Sequence, residues 1–201
     1  MPMDPEIYII AGPNGAGKST LAPYLLKDRL HLKSYVNADL IALGLSAYSP
    51  ETVALEAGRI MLRRLDELGK QHQSFGFETT LASRSYALRL QPWKAAGYSI
   101  HLVFLWLQSE EMAIERVRLR VQAGGHHIDE ATIRRRYNRG VINFHSLYQL
   151  LANRWVVLDN SVSSYPQIIA TGEAASAPII YNLKSGQTFG QPGGNNEQNR
   201  V

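Results

Sequence analysis

The stretch Gly12-Pro13-Asn14-Gly15-Ala16-Gly17-Lys18-Ser19-Thr20 restricts the fold more than any other part of this chain. It fits the P-loop pattern G-x-x-x-x-G-K-[ST], which has meaning only between a strand and a helix. Both neighbours are legible. Glu6-Ile7-Tyr8-Ile9-Ile10-Ala11 is a short, β-rich apolar run that reads as a buried strand. Leu21 to Leu30 has helical spacing, with a kink expected at Pro23, which has no N–H to donate. Glycines in such a loop let backbone N–H groups wrap phosphates, and the helix N-terminus adds positive potential. Lys18 is placed to reach the phosphates and the Ser19 hydroxyl to ligate Mg²⁺. Gly12, Pro13, Asn14, Gly15, Ala16, Gly17, Lys18, Ser19 and Thr20 are therefore the expected nucleotide-binding residues.

The rest of the chain supplies strands alternating with helices. A weaker second strand reads over Ser34-Tyr35-Val36-Asn37 and a third over Ser74 to Thr79. Ser49-Pro50-Glu51 has the form of a helix start, and Val53, Ala57, Ile60, Met61, Leu65 and Leu68 give that helix one apolar face, stopped at Gly69. A helix from about Ser83 to Ala96 ends at Gly97. His101 to Leu107 is the most apolar run and reads as a central strand. Ser109 caps a helix running to Gly124-Gly125, and Asp129 caps a longer one to about Leu151. Strands follow at Trp155–Asp159 and Pro166–Ala170. This order predicts an α/β fold: a three-layer, small-kinase-like P-loop NTPase with a mainly parallel sheet and a helical lid at about 116–139. One domain is expected over 1–183. A disordered tail is expected over 184–201, where the chain turns to Gly, Gln, Asn and Pro.

Charge is local. The chain nets +4, yet residues 116 to 139 hold seven arginines and two acids, which leaves the remainder at −1. There is no cysteine, so disulfides and thiolate metal sites are excluded. No apolar run is long enough to span a membrane, and Met1 to Glu6 is acidic where a signal peptide would be basic, so a cytoplasmic protein is expected.

Three groups of residues carry candidate chemistry. Asp39 follows the second strand, where carboxyl ends face the ligand crevice. It would act as a base toward an acceptor hydroxyl or help hold Mg²⁺, or else cap the helix over Leu40–Leu43. Glu78, with Thr79 and Thr80, ends the third strand at the same edge. Either Glu78 binds substrate or metal, or it caps the next segment through the threonines. The arginines Arg116, Arg118 and Arg120, then Arg134, Arg135, Arg136 and Arg139, sit on two helices joined by Gly124-Gly125-His126-His127. Such a pair can close over phosphates as a lid. Part of the set would instead be solvated or paired with acids such as Glu115 and Glu130. A nucleic-acid patch is disfavoured, because aromatic interleaving is limited to Tyr137. The two histidines lack metal-site spacing.

The order GPNGAGKST, VNADLIA, FETTLAS, RVQAGGHHI, IRRRYNRGVINF and a late VVLDNS resembles the zeta-toxin-like kinases over about residues 6 to 173. The resemblance implies a small-phosphotransferase fold, with a C-terminal segment near the adenine, in which Lys18 and Ser19 bind ATP and Mg²⁺. It implies Asp39 as general base, Glu78 and a neighbouring threonine as acceptor contacts, and Arg120 with Arg135 or Arg136 as the phosphate-facing arginines. Studied members phosphorylate UDP-N-acetylglucosamine and are paired with an antitoxin. The implied partners are thus a nucleotide, a small acceptor and a separate antitoxin protein. Two alternatives stand beside this. An ABC-type ATPase shares the loop spelling but needs a strand ending Asp-Glu and a Leu-Ser-Gly-Gly-Gln signature, and neither occurs here. A nucleotide-gated or nucleic-acid-binding module would need neither Asp39 nor arginines in cis.

Overall fold

The computed structural model describes residues 4–162, 165–174 and 176–190. Its centre is a seven-stranded sheet in the order β2-β3-β1-β4-β5-β6-β7. The strands are β1 (Glu6–Ala11), β2 (Tyr35–Val36), β3 (Phe75–Thr79), β4 (Ser99–Trp106), β5 (Arg154–Asp159), β6 (Gln167–Glu173) and β7 (Ile179–Ile180). The first five run parallel; β6 and β7 are antiparallel additions at one edge. The fold is thus α/β with a mostly parallel sheet, as the alternation of elements implied.

Both faces of the sheet are covered. Along β4, Ile100, Leu102, Phe104 and Trp106 enter one apolar cluster, while Val103 and Leu105 enter the other. That is why the run reads as continuously apolar rather than alternating. One face packs on α3 (Ala54–Lys70) and α4 (Ser85–Ala95) through Met61, Leu65, Leu68, Ala87 and Leu90. The other packs on α1 (Lys18–Ala22), α5 (Glu110–Gln122) and α6 (Glu130–Asn143) through Ala22, Ala113, Val117 and Ile133. Of the expected caps, the Ser109 side chain accepts from the Met112 N–H and Asp129 from the Thr132 N–H. Gly97, at φ 93°, follows α4.

Two local expectations are corrected. The Ser49 side chain makes no cap: Pro50–Val53 is a 3₁₀ turn, and the Thr52 hydroxyl donates back to the Ser49 carbonyl. Gly69 lies inside α3, where an added Cβ would come within 2.3 Å of Trp93 Nε1. It permits close packing rather than ending the helix. At Pro23 the first helix passes into a π-helical stretch, Pro23–Arg29. The missing proline donor is thus met by a change of helix type. The helix capped by Asp129 reaches Leu151 as expected, with a change of type at Phe144–Tyr148 before α7 (Gln149–Leu151).

The tail expected from residue 184 begins as a packed helix. After α2 (Ala38–Leu45) and the helices above, α8 spans Leu183–Gly190. Phe189 is buried in a ring cluster with Phe104, Trp106, Phe144 and His145, and His145 Nε2 lies 2.9 Å from the Phe189 carbonyl oxygen. One aromatic anchor outweighs the polar composition around it. The rest of the expected tail, 191–201, lies outside the described residues. Among the described residues, no helix is long and apolar enough to cross a membrane. Truncating the anchor tests this packing. Phe189→Ala is expected to cost about 3 kcal/mol in a urea unfolding titration. A loss below about 0.5 kcal/mol would mean that α8 contributes no packing.

Candidate active site

Strand β1 lies at the middle of the sheet, between β3 and β4. Connections leave it toward both sides, so the carboxyl ends of these strands open a crevice. The chain leaves β1 at Gly12 with φ 139°, where a Cβ would sit 2.2 Å from the Leu105 carbonyl oxygen. Gly15 and Gly17 also have positive φ, and a Cβ on Gly15 would meet Ala113 and Arg116 of α5 at 3.0 Å. The loop therefore presses against both the sheet and α5, and glycine is the residue that fits.

Lys18 opens α1 and is buried, its Nζ donating to the Pro13 carbonyl at 2.9 Å and lying 4.0 Å from Glu78 Oε1. Burial lowers its pKa, while the negative charges of Glu78 and Asp39 oppose that shift and the positive charges of Arg120 and Arg136 add to it. Those four groups thus surround the lysine electrostatically.

Strand register explains how Glu78 arrives there. It pairs with Ile10 of β1, two residues before the loop, and Phe77 pairs with Val36 of β2, so Asn37 emerges beside Glu78. The Ser19 hydroxyl donates to Glu78, 3.0 Å from Oε1 and 3.1 Å from Oε2. The Tyr35 hydroxyl and Asn37 Nδ2 donate to Oε2 at 2.6 and 2.9 Å. Burial and the Glu78 charge push the Tyr35 pKa well above its ordinary value, so its hydroxyl remains a neutral donor.

Asn37, rather than Asp39, caps α2: its Oδ1 accepts from the Asp39 N–H at 2.8 Å and the Leu40 N–H at 3.4 Å. Asp39 stands in the first turn of α2, exposed. Among the described residues, no hydrogen bond or ion pair engages its carboxylate. Thr79 and Thr80 serve the turn after β3, their hydroxyls accepting from the Leu81 and Ala82 N–H groups. That turn is tight: Leu81 has φ 57° and is buried.

The arginines separate by partner. Arg116 donates to the carbonyls of Asn160 and Ser161 at 2.7 and 3.0 Å, and Asn160 Nδ2 donates to the Ala16 carbonyl at 2.9 Å. This chain of bonds ties α5 to the loop after β5 and to the P-loop. Arg118 pairs with Glu115, and Arg134 with Glu110 and Glu111. Glu130, expected to pair, makes no ion pair among the described residues. Arg135 is exposed and donates to the Thr132 hydroxyl at 3.2 Å, away from the loop. Arg136 reaches Asn14 Oδ1 of the P-loop at 3.5 Å. Arg120 donates to the His126 carbonyl at 3.3 Å, and its Nε is buried with no partner. Gly125 packs on the Arg120 side chain, where a Cβ would approach Cγ to 2.8 Å. The structure thus brings Asp39, Lys18, Ser19, Glu78, Arg120 and Arg136 together and leaves Arg135 outside. Sequence reading missed Tyr35, Asn37 and Asn160; the polar VNAD step ending a strand was the available sign of the second.

The site fits a nucleotide phosphate. Its loop has the glycine-lined cradle, and the Arg120 Nε is buried without a partner among the described residues. Among the described residues, no group of three or more His, Asp or Glu that could hold a metal ion occurs.

The sequence profile of the Zeta toxin family matches residues 2–165. The chain belongs to that family. An uncharacterized protein of Haemophilus influenzae is 30% identical over 135 residues, covering 67% of this chain and 94% of that one. Among solved structures, a chain of the AvrRxo1-ORF1:AvrRxo1-ORF2 complex with sulphate ions superposes with TM-score 0.77 at 14% identity. It covers 96% of this chain, which spans 65% of the AvrRxo1 chain's length. The same complex solved with ATP gives TM-score 0.75 at 15% identity. The PezAT chromosomal toxin-antitoxin system of Streptococcus pneumoniae gives 0.56 at 16%, over 83% of this chain and 72% of that one. These likenesses show a shared fold. The loop geometry makes its own prediction for this Zeta toxin family member. Gly12→Ala adds a Cβ against the Leu105 carbonyl and should cost about 2 kcal/mol or more in thermal unfolding, with loss of nucleotide binding. Unchanged stability would show that the strand and loop are not in this contact.

Proposed function

We propose that the chain is an ATP-dependent phosphotransferase that moves the γ-phosphate to a hydroxyl of a small acceptor. One arrangement carries this reading. An unpaired, exposed carboxylate, Asp39, and two lid arginines, Arg120 and Arg136, all bear on the buried Lys18 of a P-loop. A gating module needs the loop but no free base and no arginines aimed at the phosphates. Arg118 and Arg134 are neutralised by glutamates, which argues against a surface for long polyanions.

In this reading the P-loop N–H groups and Lys18 hold the β- and γ-phosphates of ATP. Asp39 takes the proton of the acceptor hydroxyl as its oxygen bonds to the γ-phosphorus. The bond from that phosphorus to the bridging oxygen breaks, and ADP leaves. Arg120 and Arg136 offset the charge that develops on the moving group. Mg²⁺, held through Ser19, would neutralise charge between the β- and γ-phosphates. Membership of the Zeta toxin family favours a sugar nucleotide such as UDP-N-acetylglucosamine as acceptor. The likeness to PezAT supports a separate antitoxin as partner.

A transfer screen with [γ-³²P]ATP over UDP-sugars, free sugars and nucleosides tests the reaction class and names the acceptor. Labelled product from none of them would count against the kinase. Asp39→Asn should keep ATP affinity and lower transfer about 100-fold or more; transfer at the wild-type rate would remove Asp39 as base. Arg136→Ala should lower kcat by about 10³-fold, with Arg135→Ala within about twofold of wild type. The reverse order would assign the phosphate contact to Arg135.

A further inference from the structure

Helix α6 touches two parts of the site with one of its faces. Arg136, Gly140 and Asn143 stand four and then three residues apart, which aligns them along the helix. The first reaches Asn14 of the P-loop at 3.5 Å. The second lies against the turn after β3, where a Cβ would come within 2.4 Å of the Thr80 carbonyl oxygen. The third is buried, and its Nδ2 donates to the Leu81 carbonyl of that turn at 2.7 Å. A further donor holds the helix between these points. The Tyr137 hydroxyl donates to the Leu107 carbonyl, just past β4, at 2.6 Å, and its ring packs against both apolar clusters. Burial pushes the Tyr137 pKa up to about 12, so the hydroxyl keeps its proton.

We propose that Tyr137 and Asn143 are positioning residues: their bonds to the main chain after β4 and after β3 fix the rotation and axial place of α6, and so aim Arg136 at the γ-phosphate. A helix is stiff, so two side chains anchored on different strand ends leave it no freedom to slide or turn without breaking a bond. Rotation matters here, because neighbouring residues point about 100° apart on a helix and a turn of that size would exchange Arg136 for Arg135. An arginine aimed by its backbone loses less side-chain freedom when it meets its ligand. Arg120 is held differently, by the His126 carbonyl beside Gly124 and Gly125, so the anchors on α6 act on one arginine and not on the other. The inference rests on the nucleotide reading of the loop and deepens it.

The test isolates the contact to the γ-phosphate. Isothermal titration with ADP and with the non-transferable analogue AMP-PNP, both in Mg²⁺, reads that contact as a ratio of affinities. Wild type should prefer AMP-PNP, and Arg136→Ala should lose about tenfold of the preference. Tyr137→Phe removes only a hydroxyl. It should lose about threefold of the preference, with its ADP affinity within about twofold of wild type. Added to Arg136→Ala it should cost nothing more, because it acts through that arginine. A merely structural tyrosine would weaken both nucleotides alike. Such an equal loss, a full AMP-PNP preference in Tyr137→Phe, or additive losses in the double variant would overturn the positioning claim. If Tyr137→Phe does not fold, Asn143→Ser is read by the same ratio and judged by the same outcomes. Wild type that binds both nucleotides equally would also overturn it, since Arg136 would not meet the γ-phosphate. Wild type that binds neither would sink the nucleotide reading itself, a distinct result.

Discussion

The approach of Gly12 to the Leu105 carbonyl sets the shape of everything at the top of the sheet. β1 is hydrogen-bonded on both sides, so its chain can leave only at its end. It does so at once, in a left-handed conformation, under the edge of β4. Any side chain at that point would push the loop off the strand. Because it stays down, α1 begins directly above the sheet and Lys18 is buried over the ends of β1 and β3. Glu78, Asn37 and Asp39 then fall within reach through strand register alone. A glycine without chemistry of its own thus decides where the chemistry stands.

The concentration of positive charge between residues 116 and 139 is resolved in the same way, contact by contact. Arg116 is structural, bridging α5 to the loop that also holds Ala16. Arg118 and Arg134 are spent on glutamates of α5. The positive charges that bear on Lys18 are those of Arg120 and Arg136, and Arg136 reaches Asn14 of the P-loop. The buried Nε of Arg120 lacks an acceptor, and an unmet buried donor costs roughly 1–3 kcal/mol until one arrives. Gly125 presses the side chain into that position. Of the seven arginines in this net +5 segment, three are thus held by structural contacts and two bear on the buried lysine.

Much of this was readable from residues. The P-loop, the strands of the parallel sheet, the caps at Ser109 and Asp129 and the stop at Gly97 all follow from local chemistry, and each formed as local chemistry demands. What was not readable depends on pairing across the sequence. Asn37 and Asp39 both sit where a cap can form, and only the backbone shows that Asn37 takes the N–H groups. Glu78 meets Ser19, 59 residues away, because two strands align. Tyr35 looks like an ordinary strand residue until Glu78 lies beside it. Arg135 and Arg136 are adjacent in sequence, so only the rotation of α6 about its axis separates them. Phe189 was hidden in a polar segment because composition averages over the one side chain that packs.

The two carboxylates of the site show how identical charge yields different roles. Glu78 is buried, and its lone pairs are taken up by Ser19, Tyr35 and Asn37. Asp39 stands in the first turn of α2, exposed, with its backbone N–H held by Asn37 and its carboxylate open. The proposed base needs a free lone pair and a fixed backbone; no hydrogen bond engages the Asp39 carboxylate among the described residues, and its N–H is held by Asn37. Asn37 therefore does more than cap a helix. By donating to one carboxylate and accepting from the backbone N–H of the residue that carries the other, it ties the two to each other.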